Sequence, residues 1–398
     1  MPIQRWLPLF IIIFYLGIVL RSPFLTAFSS TLLVIFGIAY WWHKHALDGV
    51  RYTRRFRYTR GFPGEHFPVR LEIENNKLLP LSWLRVTDPW PKAVGPEDER
   101  ALTPSHIADQ GLLIHAFSLR WFERARRMYE LYLRSRGVYK VGPVQVQSGD
   151  FFGIYKQSDR LGSVDQITVF PTLIPLEELK LPPENPFGDQ RSRRRFLEDP
   201  NFPMGVREYR PEDGFRRVHW PATARTGQLQ VKVFQPTSAL TLVVCLNVLT
   251  YQHSWEGINP ALFERLLSIA ATLLYQGIEH GYRVGLISNG CLSNSDQPFH
   301  IPPGRSPKQL GRLLEALAGA SPVMAKPFEN FLMREIPHVP YGSTLVVVTA
   351  LTSPALVETL SRLKKHERQI TLFSLAEEPP PDILGVRCLH MPFKEEEV

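Results

Sequence analysis

Two strongly apolar runs open the chain and predict a pair of helices. The first covers residues 7–20 and the second residues 24–42, with a short turn at 21–23 between them. At about 1.5 Å per residue the second run covers about 28 Å, close to the roughly 30 Å hydrocarbon core of a bilayer. The first needs residues 3–21 to reach that length. The pattern predicts a transmembrane helical hairpin in residues 1–45.

A secretory signal peptide is the alternative interpretation of the first run. No small-residue cleavage site follows Leu20, and a second apolar run comes directly after it. A cleaved leader normally carries such a site. The pattern therefore favours a retained hairpin.

Basic residues predict which way this hairpin points, because they resist translocation across the membrane. Arg21 alone lies in the turn, whereas six basic residues follow the second run: Lys44, Arg51, Arg54, Arg55, Arg57 and Arg60. We expect a two-pass protein of the inner (plasma) membrane with both termini in the cytoplasm. The lipid bilayer is thus the first predicted partner.

Aromatic residues beside these arginines suggest an interfacial belt. They are Trp41, Trp42, Tyr52 and Tyr58. Two interpretations of the intervening arginines stay open: they bind anionic headgroups specifically, or they reflect only the orientation bias.

From about residue 51 to residue 175 the hydrophobic period falls to two. Val69, Leu71 and Ile73 alternate with charged residues, and similar alternation recurs at Tyr129, Leu131 and Leu133, at Val144 and Val146, and at Ile167 and Val169. Short alternating strands with turn signals between them predict an Ig-like antiparallel β-sandwich, which we assign to residues 46–178. It is either a recognition module or a structural spacer.

The last part of the chain has a different pattern. Residues 242–246, 344–348 and 370–375 are nearly continuous apolar runs, as expected for strands buried on both faces of a parallel sheet. Amphipathic helices are predicted between them, one at 260–280 and two that each open with a serine N-cap followed by proline, at Ser306-Pro307 and Ser353-Pro354. Residues 239–398 are predicted to form a doubly wound α/β domain. Its ligands would lie beyond the carboxyl ends of the strands.

Between the two domains, residues 179–238 form a linker with the densest polar segment of the chain. Its candidate site residues are Arg207, Glu208, Tyr209, Asp213, Arg216, His219, Trp220 and Arg225. This segment, with residues 136–143 and 149–154, resembles the signature of the domain-of-unknown-function-58 family, which reads roughly R-E-Y-x-x-G-D-x-x-R-x-I-x-W-x-x-x-A-R.

The resemblance implies a membrane protein whose C-terminal domain is von Willebrand factor A-like. Relatives in this family are typically encoded beside MoxR-type AAA+ ATPases and other membrane proteins. Such an ATPase is therefore the implied protein partner, together with other membrane proteins of the same gene neighbourhood.

The metal site of von Willebrand factor A-like domains is degenerate in this sequence. That site needs D-x-S-x-S after the first strand and a further aspartate, because a hard divalent cation prefers carboxylate and hydroxyl oxygens. The corresponding positions are Asn247, Leu249, Tyr251 and Thr349. We predict no metal and no cofactor, and a cation-dependent ligand-binding domain stays an alternative.

Two interpretations of the charged signature stay open. It is a structural ion-pair network, in which Arg207, Glu208, Asp213, Arg216 and Arg225 tie the linker to the sheet above a packed Trp220. Alternatively, it is a docking surface on which arginines meet the carboxylates of a partner.

Composition narrows the class of partner. The net charge is +8 and the pI is about 9.4, which would suit nucleic acid or an anionic bilayer. The basic run 191–195 has no interleaved aromatic residues for base stacking, so we expect no nucleic-acid partner. Cys245, Cys291 and Cys388 form no CxxC pair, which argues against a zinc site or a disulfide framework.

Catalytic motifs are missing from the sequence. It has no G-x-x-x-x-G-K-[ST], H-E-x-x-H or G-x-S-x-G, and neither His219 nor His253 has a serine or cysteine nucleophile beside it. Cys245 lies in a predicted buried strand, where a thiol is inert. We predict a non-enzymatic membrane-anchored adaptor or scaffold, the alternatives being an uncharacterised envelope-associated hydrolase or the cation-dependent domain.

Overall fold

A computed structural model describes most of the chain. The described residues are 7–151, 155–179, 181, 198–236, 240–251, 257–293, 295–324, 326–366 and 368–393. The chain divides into two compact units, Met1–Val169 and Phe170–Val398. The basic run 191–195 and His253, both considered above, lie outside the described residues.

Two helices begin the first unit. Helix α1 covers Leu7–Val19 and helix α2 covers Pro23–His45, and they pack together with the rings of Phe10 and Phe36 stacked at 5.3 Å. Pro23 opens α2, where its missing N–H costs no helical hydrogen bond. Helix α2 is long and apolar enough to cross a membrane, whereas the described part of α1 is shorter, with 13 residues.

Antiparallel strands form the rest of this unit, as the alternating pattern predicted. The strands are β1 (Val50–Phe56), β2 (Arg60–Gly61), β3 (His66–Asn75), β4 (Leu81–Pro91), β5 (Leu102–Pro104), β6 (Gln110–Leu119), β7 (Arg124–Tyr132), β8 (Gly137–Val141), β9 (Val144–Gly149), β10 (Lys156–Leu161) and β11 (Asp165–Val169). Their sheets have the orders β1-β3-β7, β10-β9-β4-β6-β5 and β2-β11-β8. Among the described strands of this unit, only the short β2–β11 pairing is parallel. The alternating residues Val69, Leu71 and Ile73 of β3 are buried in the shared core.

Strand β1 corrects the prediction of an aromatic and arginine belt. Tyr52 and Arg54 are buried on β1, because alternate residues of this strand face the core. Tyr58 comes after the end of β1 that is farther from α2. It is eight residues beyond Val50, which corresponds to up to about 26 Å along an extended chain. Of the four predicted belt residues, Trp41 and Trp42 alone lie in α2.

A seven-stranded sheet with flanking helices dominates the second unit. It is preceded by two paired strands, β12 (Glu198–Glu208) and β13 (Gln230–Pro236), with helix α3 (Trp220–Thr226) between them in the chain. The sheet and its helices are then, in chain order, β14 (Thr241–Leu246), α4 (Pro260–Glu279), β15 (Arg283–Leu292), β16 (Ser295–Gly304), α5 (Gln309–Ala318), β17 (Ala320–Met324), α6 (Phe328–Glu335), β18 (Thr344–Thr349), α7 (Pro354–Lys365), β19 (Gln369–Ser374) and β20 (Arg387–His390). The sheet order is β16-β15-β14-β18-β19-β20, with β17 also paired to β15.

The central strands of this sheet agree with the sequence pattern. Strands β14, β15, β18, β19 and β20 run parallel, and every residue of β14 and β18 is buried. The predicted strands are β14, β18 and β19; β15 and β20 were not predicted. Strands β16 and β17, which run antiparallel to β15, were not predicted either, since their prolines and polar residues hide the periodicity.

The starts of two helices test the capping predictions. Ser353 caps α7 by accepting a hydrogen bond from the backbone N–H of Leu356 at 3.1 Å, as predicted. The prediction for Ser306 was wrong. Its hydroxyl accepts from Lys308 N at 3.3 Å in a preceding turn, and α5 begins only at Gln309.

Candidate functional site

The charged signature folds as a compact excursion between two paired strands. Glu208 of β12 lies opposite Gln230 of β13, and Arg207 lies opposite Val231. The connecting segment contains one turn of 3₁₀ helix at Phe215–Arg217 and then helix α3. We call residues 207–231 the signature hairpin.

One ion pair holds the first half of the signature hairpin. Both Arg207 guanidinium NH₂ groups donate to the two Asp213 carboxylate oxygens at 2.7 Å, and Arg210 N donates to the same carboxylate at 2.9 Å. These hydrogen bonds, led by that from Arg207, lower the pKa of Asp213 to about 2. Asp213 therefore stays ionised at neutral pH and closes the loop.

His219 has a structural place in the second half of the signature hairpin. The ring Nδ1 of His219 accepts a hydrogen bond from the backbone N–H of Ala222 at 3.0 Å, at the start of α3. The backbone N–H of His219 donates to the backbone carbonyl of Gln230 at 2.7 Å. The hydroxyl of Thr223 bridges the same region, since it donates to His219 O and accepts from Gln230 N. An Nδ1 that accepts a hydrogen bond leaves the ring proton on Nε2.

The prediction that Trp220 packs beneath the signature was wrong. Its side chain is 65% exposed, and that of Phe215 is also exposed. The inner position belongs to Val218, which is buried and forms a bridge with Val231 of β13. Because Val218 already fills the interior, the aromatic ring two residues later lies on the outer surface.

The predicted ion-pair network is also smaller than expected. Arg207 and Asp213 form their pair, but within the described residues Glu208, Arg216 and Arg225 form none. Arg216 and Arg225 are exposed in the same hairpin as Trp220 and Phe215. Tyr209 stacks on Phe215 at 5.6 Å, which supports the exposed ring. The outer surface of the signature hairpin thus combines cationic and aromatic groups.

The second candidate site lies at the carboxyl ends of the parallel strands. Asn247 directly follows β14, and its Nδ2 donates to Thr349 Oγ1 at 3.1 Å. Asn289 of β15 donates to Asn247 Oδ1 at 3.1 Å and accepts from Val248 N at 3.0 Å. The Thr349 hydroxyl in turn donates to Leu351 O at 2.8 Å. We call Asn247, Asn289 and Thr349 the amide cluster.

The remaining degenerate metal positions do not join this cluster. Leu249 is half-buried and contributes its backbone N–H to Asn247 Oδ1 at 3.3 Å, whereas the side chain of Tyr251 is exposed. In the part of the chain that the structure describes, no group of three or more His, Cys, Asp or Glu residues could hold a metal ion. The amide cluster at the strand ends is thus held by hydrogen bonds between uncharged groups.

Sequence reasoning missed Asn289 and a buried ion pair in the first unit. Asn289 follows the apolar stretch 284–287, so recognising β15 would have placed it beside Asn247 at the strand ends. Arg54 and Asp88 form the ion pair at 2.7 Å, and they are 34 residues apart. No local pattern links two residues at that separation.

Comparisons with known proteins agree with the family resemblance for part of the chain. The model of the family described as "Protein of unknown function DUF58" matches residues 205–378, which include the whole signature hairpin and the central strands of the large sheet. "Uncharacterized protein YeaD" of Bacillus subtilis (strain 168) is 24% identical over 315 residues, which cover 78% of this chain and 73% of that protein.

Solved structures show weaker likeness. A CARDB domain from Pyrococcus furiosus aligns with a TM-score of 0.21 at 7% identity, covering 30% of this chain and 91% of that one. A cohesin module of a Clostridium perfringens family 33 glycoside hydrolase aligns with a TM-score of 0.21 at 9% identity, covering 30% and 97%. Likenesses at this level carry no argument about function.

Proposed function

We propose that this protein is a non-enzymatic membrane-anchored adaptor or scaffold whose signature hairpin docks an acidic segment of a partner protein. The observation that carries this proposal is the exposed surface of Trp220, Phe215, Arg216 and Arg225 on a hairpin braced from within. Tryptophan, tyrosine and arginine are the residue types that contribute most to protein interfaces.

The bracing matters because a preorganised surface loses less conformational entropy on binding. The Arg207–Asp213 pair, the His219 cap and the buried Val218 hold the backbone at three points along the hairpin. Arg216 and Arg225 then present guanidinium groups that match carboxylates in a two-pronged geometry. An acidic peptide with an apolar residue would suit this surface, because its carboxylates would pair with the arginines and its apolar residue would pack on the aromatic rings.

In this proposal the N-terminal helices form a two-pass anchor with both termini in the cytoplasm. The length and apolar character of α2 support it, as does the packing of α1 against α2. Exposed basic residues in the last turn of α2 and after it support the orientation; they are Lys44, Arg51, Arg55, Arg57 and Arg60. The β-rich unit would be an immunoglobulin-like module beside this anchor.

We propose further that the partner is a MoxR-type AAA+ ATPase and that the C-terminal domain is von Willebrand factor A-like. The parallel sheet and the match over residues 205–378 support the domain assignment. The partner rests on the family resemblance. The neutral amide cluster argues that docking proceeds without a bridging divalent cation, since among the described residues no carboxylate replaces the missing ligands there.

The test is binding of the full-length protein, in detergent micelles, to the MoxR-type ATPase of its gene neighbourhood with and without ATP. We expect nucleotide-dependent binding that the double variant Trp220→Ala/Arg216→Glu weakens by about tenfold or more, because a hot-spot residue contributes at least 1.4 kcal/mol.

The matched control is Arg312→Glu/Val323→Ala, which changes an exposed arginine and an exposed apolar residue outside the signature hairpin. It should bind as the wild type does. Equal affinity of the signature variant and this control would refute the docking surface, and no binding by the wild type would refute the ATPase as partner.

A further inference from the structure

Two turns of the first unit lie at the end where helix α2 joins the β-strands. Val50 at the start of β1 pairs with Asn75 at the end of β3, and Glu74 pairs with Arg124 at the start of β7. The β3–β4 turn and the β6–β7 turn therefore lie at the same end of the unit. We call residues 76–80 and 120–123 the α2-proximal turns.

Lys77 ties the first of these turns to the last turn of α2. Its ammonium group donates to the backbone carbonyls of Asp48 at 2.7 Å, His45 at 2.8 Å and Ala46. These three acceptors satisfy the three donors of a protonated lysine, and a cation is favoured at a helix C-terminus. Burial lowers the pKa of Lys77 to about 8, so the ammonium form still dominates at neutral pH.

The second turn is fastened to the first. Phe122 N donates to Lys77 O at 3.3 Å, and the side chain of Asn75 donates to Arg120 O at 2.8 Å. Both turns therefore keep a fixed position relative to α2. A third connection, between β9 and β10, packs Tyr155 against Tyr40 and His43 of α2, with ring centroids 6.0 and 5.5 Å apart.

The α2-proximal turns expose large apolar side chains. Leu78 is 76% exposed, Trp121 is 62% exposed and Phe122 is 64% exposed. Phe122 also has a φ of 53°, which a bulky residue rarely adopts. Backbone strain of this kind persists where the surrounding structure maintains it, and here it presents an aromatic ring outward.

The position of these side chains selects the ligand. They belong to turns that Lys77 fastens to the C-terminal end of α2. The last turns of that helix carry the exposed Trp41 and Lys44, and the second turn carries the exposed Arg120. Tryptophan and other aromatic rings favour the membrane–water interface, and basic residues favour anionic headgroups. A lipid surface matches this combination of chemistry and location.

We propose that Leu78, Trp121 and Phe122 insert into the headgroup layer of the bilayer that α2 crosses. This inference rests on the proposed membrane anchor and adds a second, peripheral contact to it. Because residues 46–49 are the whole connection between α2 and β1, the two contacts together would hold the β-rich unit at a fixed tilt to the membrane.

The test places an environment-sensitive fluorophore on single cysteines in the full-length protein. The variants are Leu78→Cys and Phe122→Cys in a Cys388→Ser background, because Cys245 and Cys291 are buried. Ile107→Cys is the matched control, since Ile107 is an exposed apolar residue in the β5–β6 turn, at the opposite end of β4. The proteins are reconstituted in phosphatidylcholine–phosphatidylglycerol vesicles with and without doxyl-labelled lipid.

We expect labels at positions 78 and 122 to show blue-shifted emission and loss of intensity with doxyl lipid, and the label at 107 to show neither. Labels at 78 and 122 that behave like that at 107 would overturn the inference. A blue shift without doxyl quenching would overturn it too, since protein rather than lipid would cover the turns. Thermal melting of each labelled variant checks that it is folded.

Carbonate extraction of the same vesicles separates the two possible failures. If alkaline carbonate releases the wild-type chain, α2 is not membrane-integrated and the anchor itself is wrong. If the chain resists extraction while labels at 78 and 122 stay in water, the anchor stands and only the peripheral contact is refuted.

Discussion

Both units of this protein bury a polar cluster, but one cluster is charged and the other is neutral. In the β-rich unit the Arg54 and Asp88 side chains are 1% and 0% exposed and form a two-pronged ion pair. In the α/β unit the amide cluster of Asn247, Asn289 and Thr349 is equally buried and carries no charge. The two clusters stabilise their surroundings in different ways.

The charged cluster connects parts of the β-rich unit that are distant in sequence. Arg54 donates to Asp88 at 3.0 and 2.7 Å and to Asp165 at 2.8 Å, and Tyr52 donates to Asp88 at 2.7 Å. Burial, together with the Asp88 charge, raises the pKa of Tyr52 far above its usual value, so the phenol remains a donor. Strand β1 is thereby joined to β4 and to the start of β11.

The neutral cluster joins neighbouring strand ends instead. Its amides satisfy one another and the backbone N–H of Val248 without any ion. A buried charge is costly to leave without its partner, whereas a buried amide is less so. The comparison therefore predicts a hierarchy of mutational effects.

The largest expected effect is that of Asp88→Asn. Removing the negative charge leaves Arg54 buried without full compensation, which costs about 3–5 kcal/mol in comparable cases. The measurement is the urea-induced unfolding of the full-length protein in detergent micelles. The control is Arg55→Gln, since Arg55 is exposed and its pair with Glu72, at 3.1 Å, should contribute at most about 1 kcal/mol.

A triple variant sharpens this prediction. Tyr52→Phe/Arg54→Met/Asp88→Leu replaces the buried donors and acceptors by apolar groups of similar size. We expect it to recover part of the stability that Asp88→Asn loses, because removing Tyr52, Arg54 and Asp88 together leaves fewer buried groups without a partner. If Asp88→Asn unfolds no earlier than Arg55→Gln, the charged cluster is not the brace described here.

An intermediate effect is expected for Asn289→Ala in the amide cluster. The change removes a donor to Asn247 and leaves the Val248 N–H buried without its acceptor, which costs about 1–3 kcal/mol. Gln228→Ala, at an exposed amide, is the control and should change the free energy of unfolding by no more than about 0.5 kcal/mol. Equal effects of the two variants would contradict the structural role of Asn289.

The smallest effect is expected for the Arg207–Asp213 pair of the signature hairpin, and it should depend on pH. The folded pKa of Asp213 is about 2, below the ordinary value of 3.8, so its contribution to stability is present above about pH 4. It is lost as the pH falls through about 2. The unfolding midpoints of wild type and Asp213→Asn should therefore differ by a constant amount at neutral pH and converge in acid. A difference independent of pH would show that ionisation of Asp213 does not matter.

The sequence predicted the elements better than the sites. The period of two predicted β3, β7, β9 and β11, because a strand buried on one face has alternating apolar residues. The continuous apolar runs predicted β14, β18 and β19, because a strand buried on both faces is apolar throughout. Tyr52 and Arg54 of β1 were placed in the membrane-interface belt because Arg54 among other arginines looks like a surface residue. Its burial depends on Asp88, which lies on another strand.

The signature hairpin likewise was predictable as a segment but not in the contacts of its residues. Its residues were recognisable as a group from their density of charge, yet their roles were not. The pattern did not reveal that Val218 would occupy the interior and leave Trp220 outside, nor that Arg207 and Asp213 would pair while Arg216 and Arg225 stayed exposed.

By itself, the sequence determined the apolar N-terminal helices, the change from alternating to continuous hydrophobic strands, and the loss of carboxylates at Asn247, Leu249 and Tyr251. These are properties of single segments, set by local periodicity and side-chain chemistry. Only the tertiary structure decided that Arg54 meets Asp88, that Asn289 meets Asn247 and that Lys77 meets the end of α2. Each of these contacts joins residues far apart in the chain, and their pairing depends on how whole strands and turns align.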